Sequence, residues 1–410
     1  MKQLRNLLIG GLWVLGLCVA LPLAAQSDST SQVTSHSQPP ISAVKATVVE
    51  GDTASTQKDR EESTSKAKNP VDVKGLIFGH IGDAYEWHIT TWGHTKISIP
   101  LPVIIYSERT GWHVFLASRL EENGGIYEGL SIAPEGSKYE GKLVEHDEAE
   151  SEIRPWDISI TKVSFALLFN SALLIIIVLS VAGWYRRHPK GDTAPGGFVG
   201  MMEMFIMAIH DDVIKNCVGS NYHKYAPYLL TAFFFILINN LMGIVPFFPG
   251  GANVTGNIAI TFVLALCTFF AVNLFGTKTY WKDIFWPDVP WWLKVPIPMM
   301  PFIELFGIFT KPFALMIRLF ANMLAGHMAM LVLTSLVFIS VSMGPVVNGT
   351  LTITSVAFNI FMNALEVLVA FIQAYVFTLL SAIFIGLAQE NNSKKESNLV
   401  VNESRNEMNK

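Results

Sequence analysis

The sequence predicts a mainly α, polytopic membrane protein. It has five transmembrane helices, the last two long and inclined, and a small strand-containing extracytoplasmic N-terminal domain. Three observations predict it. Apolar residues make up 51% of the 410-residue chain and charged residues 15%, a balance shifted toward bilayer solvent. The charges crowd into residues 27–70 and 117–155, whereas long apolar runs dominate from Val163 onward. The first of those runs ends in Arg186, Arg187, His188 and Lys190, the basic flank expected on the cytoplasmic side of a span. The net charge of −4 averages a polar front half and an apolar back half, so it says little about partners.

Residues 1–25 read as a secretory signal, with Lys2 and Arg5 before the apolar stretch 7–19 and a small-residue cleavage site at Ala24-Ala25. An uncleaved first membrane helix is the alternative, weakened because the apolar run is shorter than the ~20 residues a span needs. Residues 26–70 lack apolar periodicity and aromatic residues, as a disordered tether does. Residues 71–156 form the expected extracytoplasmic domain. Short aromatic and β-branched stretches up to residue 120 suggest strands, and 121–155 is acidic and turn-rich, a surface loop or linker. His80, His88, His94, His113 and Asp83 match no zinc spacing, and no metal or cofactor is expected. Cys217 and Cys267 are too few for a disulfide framework.

Residues 160–390 form the membrane domain, with spans at about 163–183, 228–245, 257–274, 313–343 and 347–389. Between the first two, residues 201–218 carry Met202, Phe205, Ile206 and Ile209 at helical spacing but also Asp211 and Asp212. Such a segment is expected to lie along the cytoplasmic surface. Residues 276–300, full of Trp, Pro and Lys, read as an interface loop, and Gly344-Pro345 divides the last two spans. Each of these exceeds ~45 Å in a ~30 Å hydrocarbon core, so it is inclined by about 50° or broken near Gly349. The expected location is the cell inner membrane, and five crossings from an outside start leave the 391–410 tail in the cytoplasm.

Ionisable groups inside spans cost several kcal/mol each and are functional candidates unless they reach the interface. Four stand out: Glu304, Arg318, His327 and Glu366. Arg318 lies about two turns deeper than Lys311, and its guanidinium keeps its proton at any physiological pH, which suits a fixed charge better than a proton carrier. His327 follows nine positions later and so faces the opposite side of that helix. It is either a proton-exchanging group or a histidine bonded to a neighbouring carbonyl. Thr352, Asn359, Glu366 and Gln373 recur every seven residues with Asn363 close by, a stripe that reads as the lining of a hydrated path rather than as isolated helix glue. Asn239, Asn240 and Glu304 extend the path or meet the interface.

At these residues the chain resembles subunit a of the F-type ATP synthase. The resemblance rests on Lys311-Pro312 and the string Arg318-Leu319-Phe320-Ala321-Asn322-Met323-Leu324-Ala325-Gly326-His327. Glu304, Asn240 with Pro246, and Glu366 with Gln373 also fit, and the match runs from about Val163 to Glu390. It implies a proton-translocating stator subunit, non-catalytic itself, whose partners are rotor-ring subunits, a peripheral-stalk subunit b, other subunits of the synthase and the lipid bilayer, with no nucleic acid. It implies that Arg318 faces the rotor carboxylates and that Asn322, His327, Glu366 and Gln373 line an aqueous half-channel. Some relatives carry Glu where His327 stands and His where Glu366 stands, so the pair is exchanged here. Certain relatives also have an acidic residue where this chain has Gly243, and the domain before Trp156 is longer than in familiar members.

Two other classes compete. A self-contained secondary transporter is expected to show internal repeats, and none is evident; a sensor needs an output domain larger than the tail after Glu390. The chain also lacks a Gly-rich phosphate-cradling Lys motif.

Overall fold

The computed structural model describes residues 82–92, 95–122, 125–134, 137–146, 152–188, 194–286, 299–341 and 344–408. The signal and tether readings, together with His80 and His94, lie outside the described residues. In chain order the elements are β1 (Glu86–Trp92), β2 (Thr95–Pro100), β3 (Pro102–Ser107), β4 (Gly111–Leu116), α1 (Ser118–Glu122), β5 (Ile126–Tyr127), β6 (Leu130–Ile132), β7 (Leu143–His146), β8 (Glu152–Ile153) and β9 (Trp156–Asp157). The helical part follows with α2 (Lys162–Arg187), α3 (Gly197–Met207), a π-helical stretch Ala208–Lys215, a single turn Asn216–Val218, α4 (Tyr222–Ile244), α5 (Ile258–Leu274), α6 (Lys278–Phe285), α7 (Met299–Ser340) and α8 (Pro345–Met408).

The strands form a β1–β2 hairpin, a β4–β3–β9 sheet and a β5–β6–β7–β8 sheet, all antiparallel. Val103, Ile105 and Phe115, on alternate positions of β3 and β4, bury one face against Tyr85, Leu120, Leu130 and Leu143. The second sheet corrects the linker reading of residues 121–155. Its strands are two to four residues long, too short for a period-two alternation to show through the surrounding acids. Ser107 Oγ donates to the buried Glu145 carboxylate at 2.5 Å, joining the two sheets. His113 contacts Glu128 and Thr110 through its two ring nitrogens.

This strand region sits on one end of the helices. Trp87 meets Phe165 of α2 and Phe248 of the α4–α5 turn edge-on, at 6.0 and 5.3 Å between ring centroids. At the start of α2 the Lys162 N–H donates to the Ala84 carbonyl at 2.9 Å and the Val163 N–H to Asp83 Oδ1 at 3.1 Å. Burial raises the Asp83 carboxyl above its ordinary value, with Lys142, the Val163 N–H, Thr161 and Lys162 opposing the shift. The folded protein therefore binds this proton more tightly than the unfolded chain does. The stabilisation is complete below the unfolded pKa and is lost as pH rises through the folded one. We expect the strand region to become easier to release by protease as pH rises above about 4, and Asp83→Asn, neutral throughout, to flatten that dependence. An unchanged slope in Asp83→Asn would refute this role for Asp83.

Among the described residues, four helices are long and apolar enough to cross a membrane: Lys162–Arg187, Gly197–Ile244, Pro301–Ser340 and Pro345–Gln389. The predicted span at 257–274 is the shorter apolar helix Ile258–Leu274, of 17 residues. The amphipathic segment turns Met202, Phe205, Ile206 and Ile209 into the core shared with α4 and α8, so its apolar stripe packs on protein. The helix that carries the predicted fourth span starts before residue 313, because α7 begins at Met299 and runs through Pro312. Proline removes the bond to the carbonyl four residues back, a loss that apolar helices tolerate when neighbours or water satisfy the carbonyl. Likewise α8 passes through Gly349 without a break, which removes the broken-helix alternative. Gly344, at φ 97°, makes the turn between them, a conformation glycine adopts without a Cβ penalty.

Helices α7 and α8 form an antiparallel pair, and α8 also packs along α4. At the end remote from the strands Gln389 Nε2 donates to Tyr225 Oη at 2.9 Å and to the Phe275 carbonyl at 2.5 Å. A Cβ at Gly386 would stand 1.9 Å from the Cys217 carbonyl oxygen, so only glycine lets α8 lie this close to the turn before α4.

Candidate functional site

The two faces of α7 separate the candidate residues. Leu315, Met316, Leu319, Met323 and His327 are buried, whereas Ala314, Arg318, Ala321, Asn322 and Ala325 are exposed. The helical repeat dictates this split, since residues three, four and seven apart share a face. Arg318 thus projects from a strip of small side chains, and among the described residues its guanidinium has no hydrogen-bond or ion-pair partner. A permanent cation beside Ala314, Ala321 and Ala325 leaves room for another helix to approach its charge closely.

On the inner face His327 Nδ1 and Glu366 Oε1 share a hydrogen bond between α7 and α8. The residues are 9% and 5% exposed, so this is a buried acid–base pair in a low-dielectric setting, where losing one partner is costly. Gly326 brings the helices together here, because a Cβ on it would stand 3.2 Å from Glu366 Oε1. Two atoms of the pair, His327 Nε2 and Glu366 Oε2, are buried without a hydrogen-bond partner, which is how sites for water or a mobile proton present themselves.

Two members of the seven-residue stripe of α8 meet α7, Glu366 at His327 and Asn359 at Thr334, whereas Thr352 bonds a residue of its own helix. Asn359 Nδ2 donates to Thr334 Oγ1 at 3.2 Å, Thr352 Oγ1 donates to Asn348 Oδ1 at 3.3 Å, and Gln373 is buried one repeat beyond Glu366. Asn363 is exposed and donates to the Asn359 carbonyl of its own helix at 2.9 Å. Glu304 is half-buried near the opposite end of α7 from Asn359's partner, and its charge acts on the Tyr280 hydroxyl. The structure therefore brings His327, Glu366 and Gln373 into one buried band, with Asn359 further along it. Arg318, Asn322 and Asn363 stand on exposed surface, and Glu304 lies apart.

Asn240 is fully buried and forms a junction, accepting from Thr255 Oγ1 at 2.6 Å and donating to the Ala370 carbonyl of α8 at 3.4 Å. Its neighbour Asn239 accepts from Asn170 Nδ2 of α2 at 3.0 Å and donates to the Phe235 carbonyl at 2.8 Å. Asn170, Ser171, Asn253 and Thr255 were not singled out from sequence, although all are buried polar residues here. Asn170-Ser171 interrupting the first apolar run was the signal that could have found two of them. Asn253 and Thr255 sit in a turn where polar residues carry no such signal. Gly243, noted for the acidic residue it lacks, faces His327 across the bundle: a Cβ there would lie 3.5 Å from His327 Nε2.

With this geometry in view, comparison with known proteins is specific. A family model described as ATP synthase A chain matches residues 167–386, and one described as a domain of unknown function matches residues 76–158. ATP synthase subunit a 2 of Prosthecochloris aestuarii is 44% identical over 238 residues, covering 57% of this chain and 69% of the relative. ATP synthase subunit a of Chlorobium phaeobacteroides is 44% identical over 241 residues, 57% of this chain and 66% of its own length. ATP synthase subunit a of Myxococcus xanthus is 35% identical over 307 residues, 72% of this chain and 89% of its own.

Proposed function

Because the chain belongs to the ATP synthase A-chain family, we propose that it is the proton-translocating stator subunit of an F-type ATP synthase. It passes protons to and from carboxylates on a rotor ring and performs no catalysis itself. The observation that supports this reading is the two-faced α7, with Arg318 exposed among small residues on one side and the buried His327–Glu366 pair on the other. In the proposed cycle a proton reaches a rotor carboxylate by way of His327, Glu366 and Gln373, with Asn240 and Asn359 along the route. The neutral carboxyl turns through lipid at little cost, then meets Arg318, whose charge favours the ionised form. The proton leaves, and the guanidinium repels any proton taking a direct path. Each charge crossing ~100 mV supplies about 2.3 kcal/mol.

In this reading α5 is the fifth span and the helices alternate across the bacterial inner membrane, with the strand region outside and the tail inside. The 45-residue stretch Pro345–Gln389 measures roughly 68 Å at helical rise, so it must lie steeply inclined in a ~30 Å core. Glu304 and Asn322 are assigned to the opposite access route and to the ring-facing surface. Partners are the rotor ring, the peripheral-stalk subunit b and the remaining synthase subunits. Mild-detergent purification of the tagged chain from its own membranes is the direct test. A ring of small hairpin subunits is expected to co-purify with it, and recovery of the chain without any ring from membranes active in ATP-driven pumping would reject the assignment.

A further inference from the structure

One side of the β4–β3–β9 sheet is covered by the strand core, through Val103, Ile105 and Phe115. The other side is open. There Tyr106 pairs with Trp112 of β4 and with Trp156 of β9, so three aromatic side chains form a row across the sheet. Trp112 and Trp156 are 63% and 60% exposed, and the Tyr106 and Trp112 rings lie 5.1 Å apart between centroids. Two residues along the strands the face turns aliphatic, with Val114 70% exposed and Ile158 exposed beside it. Leu116, opposite Pro102 and also exposed, follows two residues further on. The charged residues Glu108 and Arg109 stand exposed in the β3–β4 turn, beyond the aromatic row. A continuous apolar face exceeds the scattered exposed hydrophobics of an ordinary surface and marks a place that something covers.

The chain fixes the direction of this face relative to the helices. After β9 the Ile158 and Ile160 N–H groups donate to the Ile104 and Pro102 carbonyls at 2.9 and 3.1 Å, and Lys162 then opens α2. Ile160 is two residues, about 7 Å of extended chain, from Lys162. The Leu116 end of the face therefore lies nearest the start of α2, and the aromatic row lies farther away. Ordered outward from α2, the face runs aliphatic, aromatic, charged. A bilayer has the same order, from hydrocarbon through the interfacial layer where Trp and Tyr collect to water. A protein interface has a different one, with aromatic anchors at its centre and polar residues around the whole rim.

The dimensions agree with that comparison. Helix α2 has 26 residues, and its ~39 Å length exceeds a ~30 Å hydrocarbon core, so its ends stand in the interfacial layers. Each layer is roughly 5–8 Å deep, whereas the face measures about 14 Å from Leu116 to Trp112. The strands must then lie oblique to the membrane normal to keep the whole face in contact with lipid. Apolar surface continues at the same end of the helices, where Phe248 packs on Trp87 and its neighbour Phe247 is exposed.

We propose that the open face of the β4–β3–β9 sheet is a lipid-binding surface that seats the strand region in the outer leaflet. Leu116, Val114 and Ile158 point toward the acyl chains, and the Trp112–Tyr106–Trp156 row sits among the headgroups. The proposal rests on α2 crossing the membrane, as in the reading above, and not on the proton route. Because β9 runs directly into α2, lipid is always present at high effective concentration, and the face stays covered without a strong affinity of its own.

The test uses the assembled synthase in vesicles of phosphatidylcholine and phosphatidylglycerol, with Cys18, Cys217 and Cys267 replaced by serine. A nitroxide is attached at Val114→Cys, at Leu116→Cys or, for comparison, at Glu122→Cys. Glu122 is exposed on α1, whose Leu120 packs on the covered side of the sheet. Collisions are read with oxygen, which concentrates in lipid, and with a nickel chelate, which stays in water. At 114 and 116 chelate collisions are expected about tenfold below those at 122, because a polar solute is excluded from apolar depth. They should be lowest at 116, while oxygen collisions at both positions equal or exceed those at 122. Chelate access at 114 and 116 equal to that at 122 would place the face in water and overturn the proposal. Low access to both reagents would show a protein cover, and overturns it equally. Should the substitutions prevent assembly, the unaltered synthase is illuminated in vesicles holding a phosphatidylcholine with a photoactivatable acyl chain. Lipid adducts on peptides containing Val114 or Ile158 support the surface, and adducts confined to the long helices overturn it. Pumping in Arg318→Ala decides the stator role separately, so either reading can fail while the other stands.

Discussion

Arg318→Ala is expected to abolish ATP-driven proton pumping while the catalytic part of the synthase continues to hydrolyse ATP. The guanidinium stands exposed on α7, with no hydrogen-bond or ion-pair partner among the described residues, so its removal disturbs little packing. In the proposed cycle, what is lost is the charge that makes a rotor carboxylate give up its proton at this position. A charged side chain at the centre of a span costs about 2.5–3.5 kcal/mol on insertion scales, and an effect of that size at the release step corresponds to about 70- to 400-fold in rate. Arg318→Lys should not restore coupling, because an ammonium in apolar surroundings sheds its proton far more readily than a guanidinium. The loss of the barrier should also open a passive leak. Measured on inverted vesicles by dye quenching, pumping at the unaltered rate in Arg318→Ala would end the stator assignment.

The second large effect is expected at the buried pair. Glu366→Gln keeps the side-chain volume and a partner for His327 Nδ1, but it removes the only carboxylate of the α8 stripe. Loss of a positioned acid–base group typically costs at least about a hundredfold in a proton-transfer rate. Flux should therefore fall by that order throughout about pH 6 to 9. His327→Glu combined with Glu366→His places the same two groups on exchanged helices, next to the same Gly326. It should recover a substantial part of the loss. A flux in Glu366→Gln that matches the unaltered protein at every pH would remove the pair from the path.

Much of this site was legible from residue spacing. Nine positions between Arg318 and His327 placed them on opposite sides of one helix, and the structure finds one exposed and one buried. The seven-residue interval joining Thr352, Asn359, Glu366 and Gln373 likewise foretold a common stripe. Spacing could not show that Glu366 would bond His327, a contact across 39 residues of sequence. Nor could it distinguish Asn363, which is nearly on the stripe yet faces outward and bonds its own helix.

The amino-acid sequence alone determined the class of this protein, because apolar run length and the rarity of charge are properties of residues in a row, and a bilayer selects on them directly. It likewise determined which face of each long helix carries the ionisable groups. Only the tertiary structure decided what those groups meet: the carboxylate beside Gly326, His327 beside Gly243, Asn170 against Asn239, and the short strands of residues 126–153. These depend on distances between segments far apart in the chain, set by how side chains of α2, α4, α7 and α8 fill the space between them. Helix α7 passing through Pro312 belongs to the same set, since a local breaker yields when the surrounding apolar packing favours the continuous helix.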